Sequence, residues 1–200
     1  MTVGVQVEQA KALAAAGRLD EALALVSSVY CSHRLQLAAQ QRQVNTRLQV
    51  APAYRSSLVS LAYGAEVAVD AGNFDGIFLV MKCVSGWGTV EQAGESRRWE
   101  KGDILPVSMN RPTRFHFNGE FEQISLRPDR ERLQALCAQW IGHALDEDLC
   151  FALRPFSRSL SASWDGMLGL LGSGAVPLSA AASQSLDDAM LSMLLAGHAH

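Results

Sequence analysis

Residues 75–117 read DGIFLVMKCVSGWGTVEQAGESRRWEKGDILPVSMNRPTRFHF, and FEQISLRPDRERL follows at 121–133. Short apolar runs are cut here by Gly, Asn, Pro and Asp, with no helical stretch between them. That is the pattern of an antiparallel sandwich or barrel rather than of a parallel sheet. Gly86 ends a long apolar run and Gly94 falls in the next turn, both at places where a positive φ or a close strand approach is needed. Lys101-Gly102-Asp103 and Asn110-Arg111-Pro112 read as turns that feed strands.

Upstream, RLQVAP, SSLVSLAYG and AEVAVDAG carry the same alternation back to Asn45. Before that, Ala10, Leu13, Ala14, Leu19, Leu23 and Val26 stand at helical spacing, and Gly17 interrupts them, which predicts two short helices between Val7 and Val29. A further apolar-polar stretch lies around Leu35 to Ala39. Downstream of Arg127-Pro128, DRERLQALCAQWIG puts Leu133, Leu136, Cys137 and Trp140 on one helical face, with Asp129 placed to cap it. SASWDGMLGLLGSG and SAAASQSLDDAMLSMLLAG predict two more helices, with Gly172-Ser173-Gly174 and Pro177 as the turn between them. The expected organisation is therefore a helical segment over 1–43, a β-barrel over 44–127 and a helical segment over 128–200. The class is α+β, mainly β.

With 200 residues and 48% hydrophobic content, the chain can bury a core of its own. A net charge of −3 with no run of Lys and Arg lacks the electrostatic footprint of a nucleic-acid binder. Cys31, Cys83, Cys137 and Cys150 never form a Cys-x-x-Cys pair, which points to reduced thiols rather than zinc or a disulfide framework. No apolar run is long enough to span a membrane, and no signal-peptide order opens the chain. A cytoplasmic location is expected.

The order of helices, barrel and helices, together with the texture of the two stretches quoted first, resembles the cupin-like ligand-binding domain of AraC/XylS-family transcription regulators. The similarity spans roughly Asn45 to Leu136, with looser support from the tail. The resemblance implies a jelly-roll barrel that senses a small organic effector and helices that form a homodimer. It also implies a linker and paired helix-turn-helix units that read DNA. LDDAMLSMLLAGHAH resembles the last helix and the start of that linker, so DNA contact is expected only through a C-terminal domain absent from this chain.

The residues themselves speak against catalysis. A metal-dependent cupin needs several convergent histidines and a carboxylate, and the barrel holds one histidine, His116; His33, His143, His198 and His200 fall in segments read as helical or terminal. No Gly-x-Ser-x-Gly elbow is present, and no serine or cysteine stands paired with a base. No catalytic residue, metal or cofactor is therefore expected.

Ligand sensing requires an apolar cavity with a few orienting polar groups. The candidate lining residues are Phe78, Val80, Lys82, Trp87, Trp99 and His116. Lys82 interrupts an otherwise apolar face. It reads either as a buried ammonium paired with an anionic ligand or an internal carboxylate, or as a side chain snorkelling outward. Trp87 and Trp99, at opposite ends of a hairpin, read as covers of the barrel mouth or as core. Strand alternation puts His116 opposite Phe115 and Phe117, so it serves either in the pocket or as a structural surface group.

Leu133, Leu136, Trp140, Leu186, Met190, Met193 and Leu194 are too many apolar positions for helices lying one-sided on a small barrel. They are the candidate dimer interface, against the plainer reading that both helices pack wholly on the barrel. Two rival functions remain: a small cupin-type isomerase or oxygenase, and a ligand-free interaction module with a solid barrel. The Gln-rich QLAAQQRQ segment and the N-terminal helices are expected to cover the barrel or to reach a partner.

Overall fold

A computed structural model describes residues 12–39, 41–74, 76–172 and 179–198. Ala10 and the turn residues Ser173, Gly174 and Pro177 lie outside them. The described elements are β1 (Ala12–Ala16), α1 (Leu19–Val29), β2 (Arg34–Leu37), β3 (Thr46–Ala53), β4 (Ser56–Ala62), β5 (Val67–Asp70), β6 (Leu79–Ser85), β7 (Trp87–Gln92), β8 (Glu95–Glu100), β9 (Ile104–Val107), β10 (Thr113–Phe117), β11 (Glu122–Arg127), α2 (Arg130–Ile141), α3 (Arg158–Gly172) and α4 (Ala180–Gly197). The strands form two sheets in the orders β1-β3-β4-β11-β6-β9 and β2-β5-β10-β7-β8, with every pairing antiparallel. This is a cupin-like jelly roll with added helices, an α+β fold.

Strands β3 to β11 and helices α2 to α4 lie where the sequence patterns put them. The N-terminal segment departs from expectation. Among the described residues there, Leu19–Val29 is helical, while Ala12–Ala16 adds to the sheet edge beside β3 and Arg34–Leu37 pairs with β5. Alanine favours helix, but that preference amounts to fractions of a kcal/mol per residue, and pairing with the open edge beside β3 overrides it. Among its described residues, the segment expected to be helical over 1–43 thus holds one helix between two strands that belong to the sheets.

The core has two parts. Inward side chains of both sheets form the first, including Val59, Leu61, Leu79, Met81, Val90, Trp99, Phe115 and Phe117. The second lies on the outer face of the six-stranded sheet, where Phe78, Val80, Ile104 and Leu126 meet Leu133, Trp164, Met190, Leu191 and Leu194 of the helices. Alternation along β6 feeds both layers: Leu79, Met81 and Cys83 point inward, and Val80 points to the helices.

Capping sets the helix starts. Asp129 accepts a hydrogen bond from the Arg132 backbone N–H at 2.9 Å, and Ser179 accepts one from Ala182 at 3.1 Å. Gly86 adopts φ +68°, and a Cβ there would meet Asn118 Oδ1 at 2.3 Å, so the β6–β7 turn requires glycine.

Candidate functional site

The inward faces of the two sheets leave a lumen, and α1 closes one end of it. Ala22 and Val26 of α1 are buried in the lumen core, with Leu19, Leu23 and Val29 packed beside them. Several polar contacts fasten this closure. Tyr30 Oη lies 2.9 Å from Ser125 Oγ, and Arg127 Nη1 donates to the Val29 carbonyl at 2.6 Å. His33 Nδ1 lies 2.9 Å from the Cys31 carbonyl and 3.2 Å from Ser27 Oγ.

The space left inside is about 40 Å³, bounded by Val26, Tyr30, Cys31, His33, Leu61, Tyr63, Val69, Phe74, Leu79, Met81, Phe115, Phe117 and Gln123. That is room for about two or three water molecules, well below the ~300 Å³ of a drug-sized site. Larger hollows, of about 590 and 660 Å³, are open surface depressions edged by polar side chains such as Asp70, Glu91 and Arg114, or Gln134, Asp146 and Asp148. Among the described residues, the lumen combines buried apolar walls with polar atoms that have no protein partner, namely His33 Nε2 and Gln123 Oε1.

The lumen is a strongly desolvating environment. Burial pushes the Tyr30 phenol up to about 12, against the opposing hydrogen bonds of Ser125 and Gln123. Burial, reinforced by Tyr30 and Cys31, pushes Tyr63 upward as well, and the Cys83 thiol rises to about 11. These groups stay protonated at neutral pH, and no Asp, Glu, Lys or Arg lines the space.

Of the side chains selected from sequence, the structure brings only Trp99 into the barrel interior, fully buried against Phe117 and Phe121 with ring centroids 6.0 and 5.4 Å away. Phe78 and Val80 belong to the opposite face and pack beneath the helices. Lys82 shares that face, and its ammonium pairs with Asp165 of α3 at 2.7 Å. It neither lines the cavity nor reaches freely into solvent. His116 pairs with Glu66 at 2.9 Å on the outer surface, where its ring lies 5.5 Å from that of Trp87.

Trp87 and Trp99 are not at opposite ends of their hairpin. Antiparallel pairing sets Trp87 against Glu100 and Gly88 against Trp99, so the two rings occupy adjacent rows on opposite faces, with Arg98 stacked 4.2 Å from the Trp87 centroid. None of the six candidates lines the space itself, and its polar lining residues Tyr30, His33, Tyr63 and Gln123 are among those that the sequence reading missed. One usable signal was Lys82 itself, since the charge marks the face of β6 that avoids the lumen. Nothing in the local sequence of Tyr30 or His33 announces that α1 folds over the barrel.

The candidate dimer residues divide in two. Leu133, Met190 and Leu194 are fully buried inside this chain, and Leu136 and Met193 pack against the same layer. Helices α2 and α4 therefore use these side chains for the fold itself. Trp140 is 50% exposed, Ile141 44% and Leu170 61%. Leu186 is half-buried.

Among the described residues, no group of three His, Cys, Asp or Glu side chains is placed to hold a metal ion, and no helix is long and apolar enough to cross a membrane. Among the described residues, no disulfide joins any of the four cysteines.

Comparison with known proteins adds identity to this geometry. The profile of the family described as AraC-binding-like domain matches residues 22–198. The solved structure of the AraC-like transcriptional activator CuxR superposes with a TM-score of 0.73, over 93% of this chain and 69% of that one, at 10% sequence identity. A cupin superfamily protein of Desulfitobacterium hafniense aligns over 48% of this chain and 75% of its own, at 16% identity and a TM-score of 0.29. A cupin-like protein of Thermotoga maritima aligns over 46% and 75%, at 12% identity and 0.35. No curated protein matches the chain in sequence.

Proposed function

The chain belongs to the AraC-binding-like domain family, and from that premise we propose that it is the effector-sensing and dimerising part of an AraC-type transcription regulator. The observation that carries this reading is the lumen, bordered by α1 and lined with buried polar atoms that lack partners. At about 40 Å³ the space admits an organic effector only if its walls move, and α1 is the wall fastened by a few hydrogen bonds rather than by strand ladders. A ligand that favours the opened arrangement shifts the population of the whole unit; one with equal affinity for both arrangements shifts nothing.

In this reading, residues 128–200 form the dimerisation segment and the start of a linker. The second copy docks on the exposed apolar side chains Trp140, Ile141 and Leu170, and DNA is contacted through a separate domain. Catalysis is not part of this role, and the protein works in the cytoplasm alongside the DNA. The fit of the family profile across nearly the whole chain favours this over a cupin-type isomerase or oxygenase.

The test is the solution mass of the chain by light scattering, followed by thermal shift with small organic molecules and divalent cations. The expected result is a dimer of twice 21.6 kDa that an organic ligand stabilises, since a ligand binding only the folded state raises its stability. A monomer stabilised solely by a divalent cation would overturn the proposal.

A further inference from the structure

The hydrogen bonds at the α1 end of the lumen have a direction that can be worked out. Ser125 Oγ donates its single proton to the Val59 carbonyl at 3.3 Å, so it accepts from the Tyr30 hydroxyl at 2.9 Å. The Tyr30 oxygen, also held by Gln123, must then accept from the Gln123 amide nitrogen. That leaves Gln123 Oε1 as the atom without a partner, in a side chain only 2% exposed. At His33 the Cys31 carbonyl can only accept, so Nδ1 carries a proton, and in that tautomer the buried, unpartnered Nε2 is an acceptor too.

Two buried acceptors therefore wait for donors beside Leu79, Met81 and Phe115. No Asp, Glu, Lys or Arg lines the space. Arg127, the cation near the Tyr30 hydroxyl, is committed to the Val29 carbonyl at 2.6 Å. An ion of either sign would be stripped of water with no counter-charge to receive it, which the low-dielectric walls penalise heavily.

We propose that the lumen ligand is an uncharged, largely apolar molecule that donates hydrogen bonds to His33 Nε2 and Gln123 Oε1, as an alcohol or phenol does. This rests on the sensor reading of the lumen and narrows it to one chemical class. Carboxylates, phosphorylated compounds and amines are excluded.

Four probes of similar size separate these possibilities: phenol, toluene, benzoate and benzylammonium, each titrated into the full chain. Thermal shift reads the affinity, and the Met81 ε-methyl NMR signal reads the location. Burial of apolar surface alone ranks toluene above phenol. The proposal expects the reverse, with phenol at least tenfold tighter than toluene and neither ion shifting the Met81 signal. Gln123→Met keeps the volume and removes the acceptor, so it should bring phenol down to the level of toluene. His33→Phe should do the same independently.

Toluene binding more tightly than phenol, or phenol affinity unchanged in both variants, overturns the proposal. So does benzoate or benzylammonium shifting Met81 at equal affinity, and that result leaves the lumen standing as a sensor site. If no probe shifts Met81 at millimolar concentration, the sensor reading fails and the ligand class fails with it.

Discussion

Asp187, on the helix that ends the described chain, accepts a hydrogen bond from the hydroxyl of Ser56 at the start of β4, and water reaches neither side chain. Arg132 of α2 lies 3.8 Å from the other carboxylate oxygen and also pairs with Asp188, while Arg55 pairs with Asp129 at 2.9 Å. The β3–β4 hairpin is thus tied to α2 and α4 through charges as well as through the apolar layer. Removing the Ser56 hydroxyl leaves a buried carboxylate short of its donor. Ser56→Ala is expected to cost about 1.5–3 kcal/mol, the range for a hydrogen bond to a charged group, measured by denaturant unfolding.

The same carboxylate sets a pH dependence. Burial, the dominant influence, holds the Asp187 proton more tightly in the folded chain than the ordinary 3.8, with Asp129 adding to it and Ser56, Arg132 and Arg55 opposing. Between 3.8 and the higher folded value, the folded state binds more protons than the unfolded one. The Asp187 contribution to stability is therefore greatest in acid and is lost as pH rises through the folded value. Asp187→Asn should remove that component, so the difference in Tm between the two proteins should change in the variant's favour from pH 4 to pH 8. A difference that moves the other way would show Arg132 to outweigh burial.

Alkaline pH acts on the lumen. Tyr30 is pushed up to about 12 from 10.0 and Cys83 to about 11 from 9.0, both by burial, so their protons leave the unfolded chain first. Stability should fall as pH rises from about 9 to 12, across the interval between unfolded and folded values. Tyr30→Phe should flatten the upper part of this loss. It should also cost about 0.5–1.5 kcal/mol at neutral pH through the missing bond to Ser125, read by thermal unfolding across pH.

Gly88 tests the tightness of the far end of the lumen. A Cβ there would lie 2.9 Å from Trp99 Cη2 and 3.1 Å from Phe117 Cδ1, two rings locked into one aromatic cluster. Gly88→Ala should destabilise by about 1–3 kcal/mol, as overpacking does, and should shift the Trp99 fluorescence. An unchanged Tm would mean that the cluster yields readily.

The helical residues divide into two experimental classes. Leu133→Ala should cost about 2–5 kcal/mol by opening a cavity. Trp140→Glu leaves stability nearly unchanged but should halve the solution mass if α2 meets a second copy. A variant mass still equal to twice 21.6 kDa would remove Trp140 from the interface.

Gly86, at φ +68°, and the Asp129 cap show how much of the framework is local chemistry. Glycine, proline and capping residues have steric and hydrogen-bonding demands that hold in any context, and alternation along a strand follows from backbone geometry. That is why the strands from Thr46 onward and the three C-terminal helices were legible from sequence, as was the placement of His116 opposite Phe115 and Phe117, though not which of those faces looks outward. The family resemblance was legible for the same reason.

Other features depended on which surfaces met. Ala12–Ala16 became a strand because an edge beside β3 was open to it. Phe78 and Val80, as apolar as Leu79 and Met81, were sent to the helical layer only because the register of β6 in its sheet placed the other row inside. Tyr30, His33 and Gln123, separated by up to 93 positions in the sequence, became one site when α1 folded over the barrel. Periodicity and turn chemistry are short-range properties, and from Thr46 onward they fixed what each segment would be. Which face became a lumen is a property of the packed whole, and it was decided there.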